Sequence, residues 1–258
     1  MKDIIKYISL LILIVFSFYY TDKISTMIIY KSDLMQEIIS SKENEEKSYT
    51  NAIIDGKYII PGINGLEVNE LDSYYQMKKD LKYSRNKLVF NEVEPEMSIE
   101  QNKHLVINRG NQAKKAVAII LEDNLTIEKY CEENSVKISK IVTYEEFDKE
   151  SVFEQLNNDD ELDRLDLLLD KYKMNTNICL VNNQNKEKCE KNKKYLVEAT
   201  YEVSNLSIAQ IVVNAGDIIL IDSKLALSNF KVLLKKVHYR DLDIIFLSEL
   251  ISEKRTSD

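Results

Sequence analysis

The chain opens with a largely apolar run, Ile4–Tyr20 (IIKYISLLILIVFSFYY), whose one charged residue is Lys6. At about 17 residues it lies at the short end of what spans a bilayer. Lys2 and Lys6 at its start put that end in the cytoplasm, and Tyr19 and Tyr20 close it where an interfacial aromatic belt sits. The residues that follow, FSFYYTDK, offer no small-residue cleavage pattern and no Cys for lipoprotein processing. A core helix fits less well, because the run is apolar all round. The segment therefore reads as an uncleaved signal anchor, with everything after about Thr21 outside the cytoplasm.

From Thr21 to Thr50 the apolar period fades, and SKENEEKS reads as a solvated or loosely helical stalk. Three turn signals follow, Asp55-Gly56, Pro61-Gly62 and Asn64-Gly65, separating β-prone pieces at Lys57–Ile60 and Leu66–Asn69. The pattern then predicts a helix over Leu71–Leu81 and a strand over Lys87–Val93, stopped by Pro95. These pieces make a small mixed α/β subdomain.

From Ala113 the rhythm changes. Ala116–Leu121 (AVAIIL) is continuously apolar, as a strand buried on both faces requires. A helix follows Asn124, and Val136–Val142 is a second strand. Leu162, Leu165, Leu168, Leu169 and Tyr172 recur at helical spacing. Thr176–Val181, Tyr195–Val203, Asp217–Ile221 and Asp243–Leu247 are further strands. Ala226, Phe230, Leu233, Leu234 and Val237 line one face of a helix. Alternating strands and helices indicate parallel βα units. A complete (β/α) barrel takes roughly 200 residues or more, and fewer follow Ala116. The predicted fold is α/β: a shortened or irregular (β/α) barrel, preceded by a transmembrane helix and a small N-terminal subdomain. The expected segments are 1–23 (anchor), 24–50 (stalk), 51–112 (subdomain) and 113–258 (barrel-like domain).

Charge and composition narrow the chemistry. A formal net charge of -8 argues against nucleic acid as a partner, since phosphate attraction needs a basic surface. Only two His are present, His104 and His238, which argues against a mechanism that needs a cluster of His ligands. There are three Cys and no C-x-x-C, which supports neither a zinc site nor a thioredoxin-like one. Cys179 and Cys189 are near enough in sequence to pair if the chain folds back. The favoured reading is that all three, with Cys131, are small buried hydrophobes.

Two stretches resemble the polysaccharide deacetylase family. Lys115–Asn124 (KAVAIILEDN) places Leu121-Glu122-Asp123-Asn124 where that family has Phe-Asp-Asp-Gly at the end of its first strand. Gly216–Asp222 (GDIILID), the helix Ala226–Val237 and Asp243–Ile251 (DIIFLSELI) resemble the family's C-terminal block in order and spacing. The IIPGINGLEVN region is similar to the segment ahead of the barrel in some anchored bacterial members. The resemblance covers roughly the second half of the chain. It implies a distorted (β/α) barrel and removal of acetyl groups from polysaccharides such as peptidoglycan or chitin.

The resemblance also implies a divalent metal held by an Asp and two His of an H-x-x-x-H motif, with an adjacent Asp as base. Here Glu122 stands at the base position, Asp123 at the ligand Asp, and Asp222 at the late catalytic His; no H-x-x-x-H exists. Zinc-like sites need about three protein ligands, so no catalytic residue, metal or cofactor is assigned beyond these degenerate positions. Glu122 and Asp123 equally suit a solvated strand end or a helix cap, and Asp222-Ser223 suits a cap for a helix starting near Lys224. Tyr74, Tyr75, Tyr195 and Tyr201 suit core or rim packing, with sugar stacking as the other option.

The leading expectation is a membrane-anchored extracytoplasmic protein with a non-catalytic deacetylase-like domain. Its partners are the membrane, through the N-terminal helix, and cell-wall glycan or an envelope protein. One alternative is an active divergent deacetylase using Glu122, Asp123 and Asp222 around an oxygen-preferring cation. Another is a bitopic structural protein of the envelope.

Overall fold

The computed structural model describes residues 2–157, 162–174, 177–182 and 185–255. Thr176 of the expected third strand lies outside them, as does the side chain of Leu162. The chain divides into two compact units, residues 1–48 with 65–93, and residues 49–64 with 94–258. The division differs from the expected one: 49–64 and 94–112 belong with the βα unit rather than with a separate subdomain.

The smaller unit begins with α1 (Lys2–Tyr30), which runs well past the expected Tyr20. The stretch Leu10–Tyr30 is long and apolar enough to cross a membrane. The stalk expected over 24–50 is instead packed structure. Here α2 (Asp33–Glu45) starts at Ser32, whose side chain accepts from the Met35 N–H. Leu34, Met35 and Ile38 are buried on one face of α2, in a cluster with Ile29, Val68, Tyr74 and Met77. Full burial of an aliphatic side chain contributes about 1.5–3 kcal/mol, enough to fix a helix whose other face carries the charges. This unit is completed by β3 (Gly65–Val68), α3 (Glu70–Met77) and β4 (Phe90–Val93), with β3 and β4 antiparallel.

The larger unit contains, in chain order, β1 (Ile53–Asp55), β2 (Tyr58–Ile60), β5 (Val106–Ile107), β6 (Ala116–Leu121), α4 (Leu125–Glu133), β7 (Ser139–Val142), β8 (Glu154–Asn157), α5 (Leu162–Lys171), β9 (Ile178–Leu180), α6 (Lys186–Lys191), β10 (Tyr195–Val197), β11 (Tyr201–Val203), β12 (Ile218–Ile221), α7 (Leu227–Tyr239), β13 (Asp243–Ile245) and α8 (Leu247–Ile251). One sheet runs β1-β2-β5-β10-β9; the other runs β11-β12-β6-β7-β8, with β13 also on β6. The pairings between these named strands are parallel except the β1–β2 hairpin, which turns through Gly56, at φ +58°, and Lys57.

The expected strand Tyr195–Val203 is one continuous segment serving both sheets. Its first part, β10, pairs with β5 and β9; its second part, β11, pairs with β12. Between them the Glu198 N–H donates to Ile107 O at 2.9 Å and the Thr200 N–H donates to Ile218 O at 2.7 Å. Among the described residues the strands thus form two sheets linked by this segment, not a single hydrogen-bonded ring.

All six residues of β6 are buried, and they alternate between two cores. Val117, Ile119 and Leu121 pack under α4 and α7 against Ile127, Phe230, Leu233 and Val237. Ala116, Ala118 and Ile120 pack on the other face with Ile107, Leu156, Ile178, Ile218 and Leu250. On the outer side of the first sheet, Cys179 and Cys189 form a disulfide across 6.2 Å between Cα atoms, beside Val106 and Leu196. The expectation of three reduced cysteines is thereby corrected: α6 folds back over β9 and brings the two together. Cys131 remains free and buried.

Candidate functional site

The C-terminal ends of β6 and β12 carry the residues singled out in the sequence. Register pairs Ile221 with Leu121, so Asp222 and Glu122 leave the sheet side by side. Glu202 of β11 is paired with Leu220 and so joins them from the adjacent strand. Burial holds the Glu122 carboxyl above its ordinary range, and the nearby negative charges of Glu202 and Asp222 push it further up. The Ser223 backbone N–H opposes this by favouring the ionised form. Glu202 is the member that sequence reasoning missed. Nothing distinguishes a lone acid in a short strand until the register is known.

Asp123 behaves differently. It is exposed, while Glu122 is half-buried. The cap of α4 is neither of them but Asn124, whose Oδ1 accepts from the Ile127 N–H at 3.1 Å. Its amide nitrogen donates to Ser223 O at 2.9 Å and to Leu225 O at 3.1 Å, tying the loop after β6 to the loop after β12. An Asn immediately before a helical period is the signal that could have identified it.

Asp222 is not the cap of α7, because the helix starts only at Leu227. Its Oδ1 instead accepts from the Lys224 N–H at 2.7 Å, and its carbonyl accepts from the Leu225 N–H at 2.9 Å. These bonds build a tight turn of the Asx type. The start of α7 is held from β11's following loop by Asn205, whose Oδ1 accepts from the Ala226 N–H at 2.9 Å.

The two histidines are elsewhere: His104 is exposed in the turn before β5, and His238 is exposed in the last turn of α7. Among the described residues no three His, Cys, Asp or Glu side chains are grouped to hold a metal ion. The donor set at the strand ends therefore does not fit a zinc-like centre. It consists of carboxylates without an imidazole, and the one residue matching a ligand in the resembling family, Asp123, is exposed. Neighbouring carboxylates with one raised pKa can share a proton and accept hydrogen bonds from hydroxyl or ammonium groups.

Comparison with solved structures places this architecture. The chain superposes on wild-type BA3943, a CE4 family pseudoenzyme from Bacillus anthracis, with a TM-score of 0.55 and 18% identity, covering 88% of this chain and 97% of that one. The chain has a CE4 fold. A BA3943 mutant described as a CE4 family pseudoenzyme with restored enzymatic activity matches the fold equally well, with a TM-score of 0.55 and 19% identity over 86% of this chain and 99% of that chain. The CE4 fold is the deacetylase-like α/β architecture implied by the Gly216–Asp222 and Asp243–Ile251 blocks. No family model matches the chain. Among curated proteins, the uncharacterized protein YlxY of Bacillus subtilis (strain 168) is 35% identical over 92 residues, which is 35% of this chain and 29% of that relative's length.

Proposed function

We propose that the chain is a membrane-tethered, extracytoplasmic CE4-fold pseudoenzyme that binds a cell-envelope glycan at the ends of β6, β11 and β12 without hydrolysing it. The pairing of Glu122 with Asp222 carries this reading. Metal-dependent deacetylation needs an activated water, a stabilised oxyanion and an acid for the leaving amine. Imidazoles that would hold the metal and supply the acid have no counterpart among these residues. Carboxylates gathered at a sheet end suit hydroxyl recognition. The likeness to BA3943, described as a pseudoenzyme, supports the loss of activity. The apolar α1 supports the tether, with its Lys2 and Lys6 flank on the cytoplasmic side. The Cys179–Cys189 disulfide supports the outside location, because disulfides persist in oxidising compartments.

The test is acetate release from acetylated peptidoglycan or chitin oligomers by the full-length protein in detergent, with divalent metals added. Background release, together with oligomer binding weakened at least tenfold by Glu122→Ala plus Asp222→Ala, is the expected result. Release that disappears on Asp123→Ala would instead establish the carboxylate-only deacetylase. Binding unaffected by the double variant would move recognition away from these strand ends.

A further inference from the structure

The outer face of α7 bears an unusual charge pattern for an acidic protein. Phe230, Leu233 and Val237 face the core, while Lys231, Val232, Lys235, His238 and Tyr239 are exposed, with Arg240 following the helix. Among the described residues, none of Lys231, Lys235, His238 or Arg240 forms an ion pair, in a chain of formal net charge -8. Lys231 lies over the Tyr130 ring at 4.6 Å instead. The neighbouring α4 acid Glu128 is taken by Lys140 at 2.8 Å.

Apolar groups are interleaved with these cations. Tyr239 is 88% exposed, Val232 41%, and in the adjoining loop Leu206 is 90% and Val212 54% exposed. The loop is fastened to the helix by Lys236, whose Nζ donates to the carbonyls of Ile208 at 2.8 Å and Ile211 at 2.8 Å. Two shallow, mainly apolar clefts flank Tyr239, of about 440 and 490 Å³. A basic helix with exposed aliphatic and aromatic groups on the same face matches a surface that is negative at its headgroups and apolar beneath.

We infer that the exposed face of α7, with Leu206 and Val212, docks onto the anionic phospholipid surface of the membrane to which the chain is tethered. This inference rests on the proposed tether. Lys231, Lys235 and Arg240 bring three cationic side chains to one face, the number and sign that attraction to anionic headgroups requires. Tethering by α1 raises the local concentration of the lipid surface, so a weak site is sufficient.

The chain contains no Trp, so Tyr239→Trp supplies a single tryptophan that can be excited selectively over the tyrosines. The full-length variant is reconstituted into vesicles of phosphatidylglycerol and phosphatidylcholine, or of phosphatidylcholine alone, with brominated acyl chains. Flotation after alkaline wash reports the tether independently. The expected result is a blue-shifted emission quenched at least twofold more in phosphatidylglycerol vesicles, with the difference lost in 0.5 M salt or on Lys231→Glu plus Lys235→Glu plus Arg240→Glu. Circular dichroism of the triple variant checks that it folds. Vesicles that retain the protein, but with unquenched, solvent-like emission in both lipids, would overturn the docking while leaving the tether standing. Loss of flotation would overturn both. Quenching indifferent to headgroup and charge would overturn the anionic-lipid assignment.

Discussion

Arg109 and Asp217 are ion-paired at 3.0 Å, at the point where the chain enters β12, with the Asp217 side chain fully buried. The second Asp217 oxygen accepts from the Asn214 N–H at 2.7 Å. Gly216, at φ +87°, allows the approach, because a Cβ there would run into Gly110 O. Burial raises the Asp217 pKa, against the pull of the Asn214 N–H and of Arg109.

Removing one partner leaves the other without its counter-charge. Because the Arg109 side chain is partly exposed, Arg109→Met is expected to destabilise by about 2–4 kcal/mol, below the upper range for a fully buried pair. Asp217→Asn in the same chain restores part of that loss, since Asn still accepts from the Asn214 N–H. Urea unfolding of the single and double variants measures the coupling. Strict additivity would show that the ion pair contributes nothing to folding.

Lys114 is buried, and its Nζ donates to the carbonyls of Glu249 and Ser252 at the end of α8. Burial pushes its ammonium down to about 8 from 10.5. The unfolded chain therefore holds a proton that the folded chain sheds between these values, and stability rises with pH across that window. Relative to Lys114→Met, the wild type is expected to gain on the order of 2–3 kcal/mol from pH 8 to 10.5. Parallel stability curves for the two proteins would refute it.

Glu122 contributes to stability with the opposite pH dependence from a carboxylate held in an ion pair. Its folded pKa is raised, so its favourable contribution is present below the unfolded value of 4.5 and is lost as pH rises through the folded pKa. Glu122→Gln is expected to stabilise the protein at pH 7 and to lose that advantage as pH falls toward 4.5. Asp222→Asn should lower the Glu122 pKa, as read by carboxyl NMR titration. An unmoved titration would mean that the two carboxyls do not sense each other.

The Cys179–Cys189 bond closes a loop of sequence separation 10. Reduction is expected to cost about 2–3 kcal/mol, and Cys179→Ser plus Cys189→Ser should match the reduced wild type. Alkylation of protein taken directly from cells, followed by mass spectrometry, should find only Cys131 free, and then only after unfolding. Burial pushes that thiol up to about 12, so it is slow to react when folded. Three modified cysteines in unfolded protein would contradict an oxidising location.

The elements legible in the sequence are those whose burial is continuous or strictly periodic. In β6 all six residues are buried, and α7 buries Phe230, Leu233 and Val237 at helical spacing. Missed was β8, which reads EQLN and buries polar groups that only the fold satisfies. Gln155 donates to Asp148 O at 2.5 Å, and Asn157 donates to Asp166 at 2.9 Å. Another miss was α2, because the charges of its exposed face masked Leu34, Met35 and Ile38. At the candidate site, adjacency of Glu122 and Asp222 follows from family resemblance, but the inclusion of Glu202 and the exposure of Asp123 needed strand register.

The segment from Tyr195 to Val203 spends one half in each sheet. Neither sheet can lose this segment without depriving the other of a neighbour, so the two behave as one cooperative foldon rather than as separable layers. Backbone amides of Val197 and Val203 should then exchange with deuterium at a common rate set by a single opening. An insertion at residues 198–200 would break that unity, whereas the loop after Val203 could lengthen without disturbing it.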